Sequence, residues 1–328
     1  MRSILHHGTE FLEVVEPAER YDGVVRFSLD NGMRALLRPA SGVPIVSTYI
    51  WYRVGSRLDV EGKTGMAHLL EHMTFKGTTA FPDTSIASEV MRNGGAFDAF
   101  TGRDYTAFYE TLPASHLDLA LRIERDRMIN AQIADEAFAS ELGVVVSELE
   151  ECENDPEWLL SEAVLATAFR VHPYRFPTIG RRSDLYNIGR NDLIAHYKTH
   201  YHPQNAVLAI AGDFNIDAAI RRIDQLFSPI RTDALASERS PREPRQEQER
   251  RVALERPGAA QSFHCVYRGC DSGNPDVFAL LVLTSLLSGV SAFGDLTLRR
   301  SGRLYRAFIE PKLAALVTAH YQPARDPG

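Results

Sequence analysis

Three residues of the segment His68-Leu69-Leu70-Glu71-His72 could do metal-dependent chemistry. A helix turns about 100° per residue, so His68 and His72 would lie about 40° apart and one turn from each other, where both imidazoles can bind one metal ion. Glu71 would lie about 60° from His68, within reach of a water molecule on the metal but poorly placed as a further ligand. The spacing predicts two metal ligands and a general base, in the reverse order of the commoner His-Glu-x-x-His motif.

A third ligand must come from elsewhere in the chain, because a catalytic zinc ion usually takes three protein ligands and leaves one position for water. The best source is a long helix with an apolar stripe, predicted over residues 135–150. Glu141 and Glu148 share one face of it, and we choose Glu148 as the ligand and Glu141 as the carboxylate that supports a ligand. Periodicity alone does not separate these two from Glu150, Glu151 or Glu153.

The surrounding sequence predicts the elements that position these residues. Runs rich in β-branched and aromatic residues predict strands, and a 3.6-residue hydrophobic period predicts helices. The motif lies on such a helix after residues 62–65, with Thr64 as its N-cap. The predicted strands are 24–29, 33–37, 45–54 and 206–211, with an extended aromatic run over 96–112. The other predicted helices are 85–92, 115–128, 135–150 and 216–227.

Beyond residue 228 the character of the sequence changes. Residues 229–257 are rich in Ser, Pro, Arg and Glu, a composition typical of a solvated linker. A strand over 260–267 and a helix over 276–287 then repeat the order of the first unit without its His-x-x-Glu-His motif. We therefore predict an N-terminal extension (1–22), a catalytic domain (23–228), the linker (229–257) and a degenerate, truncated second domain (258–328).

Composition argues against several classes of partner. The formal net charge of -7 over 328 residues gives no broad basic surface, so we expect no nucleic-acid partner. No apolar run approaches the roughly 18 residues of a membrane span, so we expect no membrane partner. The three cysteines lack metal or disulfide spacing, and the N-terminus lacks the apolar stretch of a secretory signal. The expected location is cytoplasmic, or periplasmic if a leader has been removed.

Five separated segments give the chain a specific resemblance to a known family. They are the motif segment 65–78, the aromatic segment 94–109, the acidic helix 141–157, and segments 172–180 and 201–213. Together they resemble the pitrilysin, insulysin and mitochondrial processing peptidase family of inverted-motif zinc peptidases. The resemblance covers nearly the whole chain.

The resemblance implies an α+β fold of two homologous α/β units that close around a chamber, the second unit being incomplete here. It implies one Zn²⁺ ion bound by His68, His72 and Glu148, with Glu71 and Glu141 as catalytic carboxylates. Substrate is expected to add as a strand along residues 96–101, where Asp98 and Ala99 would bind it. The family usually has Asn before that Ala, and Asp98 replaces an amide that donates and accepts by a carboxylate that only accepts.

The function that the resemblance implies is that of a zinc endopeptidase acting on peptides or unfolded protein segments. The alternative is a non-catalytic subunit, or one inactive alone, in a larger peptidase-like assembly. We expect either a homo-oligomer or completion by further homologous domains.

A second histidine cluster consists of His196, His200 and His202, and its first two members repeat the i, i+4 spacing. The resemblance places this cluster before a strand, at positions that commonly hold aromatic residues. This favours packing over metal binding.

Overall fold

The computed structural model describes residues 19–83, 85–231, 240–258, 261–289 and 300–327. The chain forms two compact units, Met1–Ser262 and Phe263–Gly328. Residues 1–18 of the predicted N-terminal extension and 232–239 of the predicted linker lie outside the described residues. The predicted bounds of the domains stay predictions.

The first unit is built on a seven-stranded mixed sheet, formed by β1 (Glu19–Tyr21), β2 (Val24–Ser28), β3 (Arg34–Pro39), β4 (Ile45–Tyr52), β5 (Ala96–Thr101), β6 (Thr106–Pro113) and β7 (Ala206–Gly212). The strand order is β1-β2-β3-β7-β4-β6-β5, and only β3 and β7 run parallel. Burial alternates along β4 and β6, because successive side chains of a strand point to opposite faces. One face of the sheet therefore forms the core, and β5 lies at an edge.

Helices supply the other side of this core. The α-helices described in the first unit are α1 (Met66–Met73), α2 (Ser85–Arg92), α3 (Leu117–Asn130), α4 (Asp135–Glu153), α5 (Pro156–Ala168), α6 (Arg182–Leu185), α7 (Arg190–His200) and α8 (Ile216–Phe227). Leu69 and Leu70 of α1 are fully buried in one cluster with Ile50, Phe108 and Leu208 of the sheet. The apolar face of α1 therefore fixes the direction in which its polar residues point.

The start of α1 differs from the prediction that Thr64 is its N-cap. Gly65 holds that position, with a left-handed φ of 93°, and a Cβ there would lie 2.5 Å from the Ile179 carbonyl oxygen. The buried carboxylate of Asp59 accepts hydrogen bonds from the N–H groups of Gly65 (2.8 Å) and Ala67 (3.0 Å). The Thr64 hydroxyl instead donates to Asp184 (2.8 Å), so the carboxylate of Asp59 caps the helix in place of Thr64.

Helix α5 was not predicted, although its start carries a recognisable signal. The Asp155 side chain accepts a hydrogen bond from the Glu157 N–H, and Pro156 occupies the first turn. The predicted aromatic run 96–112 is two strands, because the turn at residues 102–105 folds it into the β5–β6 hairpin. The remaining predicted strands and helices of this unit are confirmed with small shifts of their ends.

The second unit contains α9 (Val277–Ser288), which confirms the helix predicted over 276–287, and a π-helical turn at Tyr305–Ile309. The strand predicted over 260–267 is wrong, since residues 261–267 have no regular structure, and Ala260 lies outside the described residues. A strand needs a neighbour for its N–H and C=O groups, and the described part of this unit offers no strand. No helix within the described ranges has both the length and the apolar composition to cross a bilayer.

Candidate metal centre

Helix α1 presents both histidines of the motif on its polar side. The ring centroids of His68 and His72 lie 4.6 Å apart, and both side chains are less than one fifth exposed. Burial and the neighbouring His72 lower the pKa of His68 to about 4. A neutral imidazole has a lone pair available for a metal, so His68 is in a ligand-competent form at neutral pH.

Glu148 of α4 completes a group of three ligand atoms. Its Oε2 lies 3.9 Å from Nε2 of His68 and 3.5 Å from Nε2 of His72. Zinc bonds of about 2.1 Å in a tetrahedron place neighbouring ligand atoms about 3.4 Å apart. The two imidazole nitrogens and the carboxylate oxygen therefore fit one zinc ion, and they are the one such group among the residues that the structure describes.

Glu141, two turns before Glu148 on the same face of α4, supports the second histidine. Its Oε1 lies 2.9 Å from Nδ1 of His72, and its side chain is only 6% exposed. Because an ionised carboxylate only accepts, this contact places the His72 proton on Nδ1 and leaves Nε2 free to bind a metal. Nδ1 of His68 is buried and has no comparable partner among the described residues.

Glu71 is buried beside the histidines, and a residue of the sheet holds its carboxylate by a hydrogen bond. The Thr101 hydroxyl of β5 donates a hydrogen bond to Oε2 of Glu71. Burial raises the pKa of Glu71, against the opposing effects of the Thr101 hydrogen bond and the nearby His72. A carboxylate with a raised pKa is a stronger base, which suits proton transfer. Sequence reasoning missed Thr101, because a single hydroxyl on a strand gives no signal of its partner.

The predicted substrate residues, Asp98 and Ala99, lie in β5. The outer edge of this strand is not paired with any further strand of the described chain. The N–H of Gly102 bonds the Tyr105 carbonyl, so by alternation Phe97, Ala99 and Thr101 direct their backbone groups to the open edge. Oδ1 of Asp98 accepts a hydrogen bond from the Ala99 N–H (2.9 Å). Asp98 therefore occupies one of the donors that an added strand would use.

The second histidine cluster does not form a comparable group. His196 and His200 have ring centroids 4.5 Å apart, but within the described residues His196, His200 and His202 do not assemble three ligand atoms. His196 is buried, and burial lowers its pKa to about 3. These contacts favour the packing interpretation.

Comparison with known proteins shows the family of the chain. Residues 34–182 match the sequence model described as insulinase (peptidase family M16), and residues 187–328 match that of the peptidase M16 inactive domain. The chain belongs to peptidase family M16. This confirms the resemblance to pitrilysin, insulysin and the processing peptidases. The fold class is also confirmed, since structural neighbours of the mixed helix and sheet fold are M16 proteases.

Three similar proteins illustrate the extent of the similarity. An uncharacterised zinc protease of Rickettsia bellii is 31% identical over 202 residues, covering 62% of this chain and 49% of the relative. A probable mitochondrial-processing peptidase subunit beta of Arabidopsis thaliana is 27% identical over 264 residues, covering 79% and 49%. A crystal structure of a Helicobacter pylori protease superposes with a TM-score of 0.81 at 25% identity, covering 92% and 72%. The chain spans about half the length of the first curated relatives it matches.

Proposed function

We propose that this M16 chain is a zinc-dependent endopeptidase that hydrolyses peptides or unfolded protein segments bound as an added β-strand. One observation carries the proposal: the ligand atoms of His68, His72 and Glu148 converge beside Glu71, and Glu71 is hydrogen-bonded to the strand at the open edge of the sheet. The metal ligands, the base and a surface for an extended chain thus lie within one small region.

His68, His72 and Glu148 would hold one zinc ion, with Glu141 fixing the imidazole of His72. A bound zinc ion would act as a Lewis acid, able to polarise a carbonyl group and to lower the pKa of water. Glu71 takes the proton of the attacking water and passes it to the leaving amine. Thr101 keeps the carboxylate of Glu71 oriented during both transfers.

The open edge of β5 supports the proposed substrate class. An extended peptide can form backbone hydrogen bonds with this edge without requiring a particular side chain, whereas most strands of a folded protein are already paired within its own sheets. Since the Thr101 side chain contacts Glu71, a peptide added along β5 would pass close to the base. Asp98 and Ala99 would then contact the peptide backbone.

The alternative is a subunit that is inactive alone. The chain spans about half the length of its first curated relatives, and the Arabidopsis relative is named as a subunit. Under this alternative the chain folds and binds zinc, and a second copy or further homologous domains complete the catalytic chamber. The two proposals differ in the assembly state that shows activity.

The decisive experiment measures zinc content and cleavage of an unstructured peptide in the same samples of monomer and oligomer. We expect cleavage that stops with a chelator and returns with zinc. Glu71→Gln should keep zinc but lower turnover by about 10²–10⁴, whereas Glu89→Gln on α2 should change neither. Activity in the oligomer alone would support the subunit alternative. The proposed mechanism would be contradicted if Glu71→Gln kept full turnover, or if the wild-type protein bound no zinc.

A further inference from the structure

Lys76 contacts the carboxylate that supports the second histidine. Its ammonium nitrogen lies 2.5 Å from Oε2 of Glu141, while Oε1 of the same carboxylate lies 2.9 Å from Nδ1 of His72. We propose that Lys76 is a positioning residue, which fixes the Glu141 carboxylate and through it directs the His72 imidazole toward the metal. This inference rests on the proposed zinc site.

The backbone beyond α1 brings Lys76 to this position. The N–H of Phe75 bonds the His72 carbonyl (3.2 Å) and the N–H of Lys76 bonds the Met73 carbonyl (3.1 Å), so helical turns continue past the end of α1. These tight turns keep Lys76 next to the end of α1, where its side chain reaches the carboxylate of Glu141 that also contacts His72. The buried Arg127 guanidinium lies 5.0 Å from the Phe75 ring and anchors this turn in the core.

Glu141 needs a second contact to hold one orientation. Its side chain is almost fully buried, and a buried carboxylate without a cation is costly. In the described part of the chain, Lys76 is the Lys or Arg that forms an ion pair with it. The pair is a charge contact without the geometry of a directed hydrogen bond, and it holds the Oε2 side of the carboxylate while Oε1 faces His72.

The two histidines differ in how they are aligned. His72 has Glu141 on Nδ1, whereas Nδ1 of His68 is buried without a partner among the described residues. Groups that hydrogen-bond a ligand histidine typically change metal affinity by about 10–100-fold when they are removed. Because His72 alone has such a partner in the described site, loss of its alignment should be measurable as weaker zinc binding.

The test measures the zinc dissociation constant of the full chain by competition with a chromophoric chelator. We expect Lys76→Met and Lys76→Gln each to weaken zinc binding by about tenfold, and Lys76→Arg to restore most of it because the charge is kept. Lys63→Met is the matched control, since Lys63 is similarly half-exposed and its ion pair with Asp192 involves no ligand. Thermal unfolding of the metal-free variants checks that they fold. If either Lys76→Met or Lys76→Gln fails to fold, the other still tests the loss of the charge.

A double-variant cycle separates positioning from a general effect on the fold. If Lys76 acts through Glu141, then Lys76→Met should add no further loss of zinc affinity to Glu141→Gln. Equal losses in both backgrounds would overturn the proposal, as would unchanged zinc affinity in both neutral Lys76 variants. These results would leave the proposed zinc site intact. A wild-type chain that binds no zinc, or binds it as well after His68→Ala, would overturn the zinc site together with this inference.

Discussion

The two histidine pairs of this protein have nearly the same local geometry. His68 and His72 on α1 have ring centroids 4.6 Å apart, and His196 and His200 on α7 have centroids 4.5 Å apart. Among the described residues, only the α1 pair belongs to a group of three ligand atoms, because Glu148 of α4 lies opposite it. Helices α1 and α7 therefore share an i, i+4 pair of histidines. The presence of a third ligand distinguishes a candidate metal site from a pair that only packs.

The pairs also differ in burial. The α1 histidines remain partly exposed, whereas His196 is buried with its Nε2 lacking a hydrogen-bond partner in the described chain. A metal ligand needs its lone pair directed at space that an ion can enter, whereas a histidine that only packs in the core does not. Burial lowers the pKa of both His68 and His196, so the pKa alone does not distinguish the two roles.

The strongest way to break this comparison is to remove one histidine from each pair. We expect His68→Ala to abolish stoichiometric zinc binding and peptidase activity, because two ligands hold zinc far more weakly than three. His196→Ala should keep one zinc per chain, although the cavity lowers stability by about 1–3 kcal/mol. Metal analysis after dialysis, with urea unfolding of each variant, measures both effects. Loss of zinc in His196→Ala alone would reverse the assignment of the two pairs.

The second prediction concerns the base that accompanies only the α1 pair. Thr101→Val removes the hydroxyl that orients Glu71 while keeping the shape of the side chain. A hydrogen bond to a charged group contributes about 1.5–3 kcal/mol, so kcat should fall roughly tenfold or more with zinc content unchanged. Thr111→Val is the control, because the Thr111 hydroxyl pairs with Ser47 on β4 (2.8 Å), away from Glu71. Equal kcat in wild type and Thr101→Val would remove Thr101 from the mechanism.

The sequence predicted the local half of the site. His68, Glu71 and His72 lie within five residues, and helical geometry alone places them near one another. Glu141 and Glu148 needed the family resemblance, because periodicity did not separate them from the glutamates that follow. Thr101 and Lys76 could not be predicted, since each acts through a contact with a residue distant in sequence. Such contacts are set by how strands and helices pack.

The fold shows the same division between local and distant causes. Strands β4 and β7 were predicted because their own residues are rich in β-branched, aromatic and other apolar side chains. The strand predicted over 260–267 failed because a strand also depends on a neighbour. The N-cap of α1 was misassigned for a related reason, since Asp59 caps the helix from outside the positions where a local cap is expected.

The third prediction compares two aspartates near the starts of α1 and α7, the helices that carry the two histidine pairs. Burial raises the pKa of Asp59 to about 7, although the N–H groups of Gly65 and Ala67 oppose this. In contrast, contact with Lys63 lowers the pKa of the partly exposed Asp192. Between pH 4 and 7 the folded protein therefore keeps a proton on Asp59 that the unfolded chain releases. Relative to Asp59→Asn, the wild type should lose stability as pH rises, by roughly 1.4 kcal/mol per unit.

Asp192→Asn provides the contrast in the same experiment. Because Asp192 is ionised in both folded and unfolded chains above about pH 4.5, its contribution is present throughout that range and is lost only in more acidic solution. Urea unfolding of the metal-free proteins at several pH values from 4.5 to 7.5 measures both differences. A flat difference for Asp59→Asn would mean that Asp59 is ionised throughout and caps α1 as a charge.

The smallest expected effect concerns the open edge beside the α1 pair. At that edge the carboxylate of Asp98 accepts a hydrogen bond from the Ala99 N–H. The negative charge of Asp98 also contributes to raising the pKa of Glu71. Asp98→Asn keeps an acceptor, adds N–H donors for a peptide carbonyl and removes the charge. One added hydrogen bond of about 1 kcal/mol should lower KM for an unstructured peptide about fivefold, with little change in kcat. Asp118→Asn on α3 removes a different exposed charge and should change neither constant, whereas a higher KM in Asp98→Asn would mean that the carboxylate itself binds the substrate.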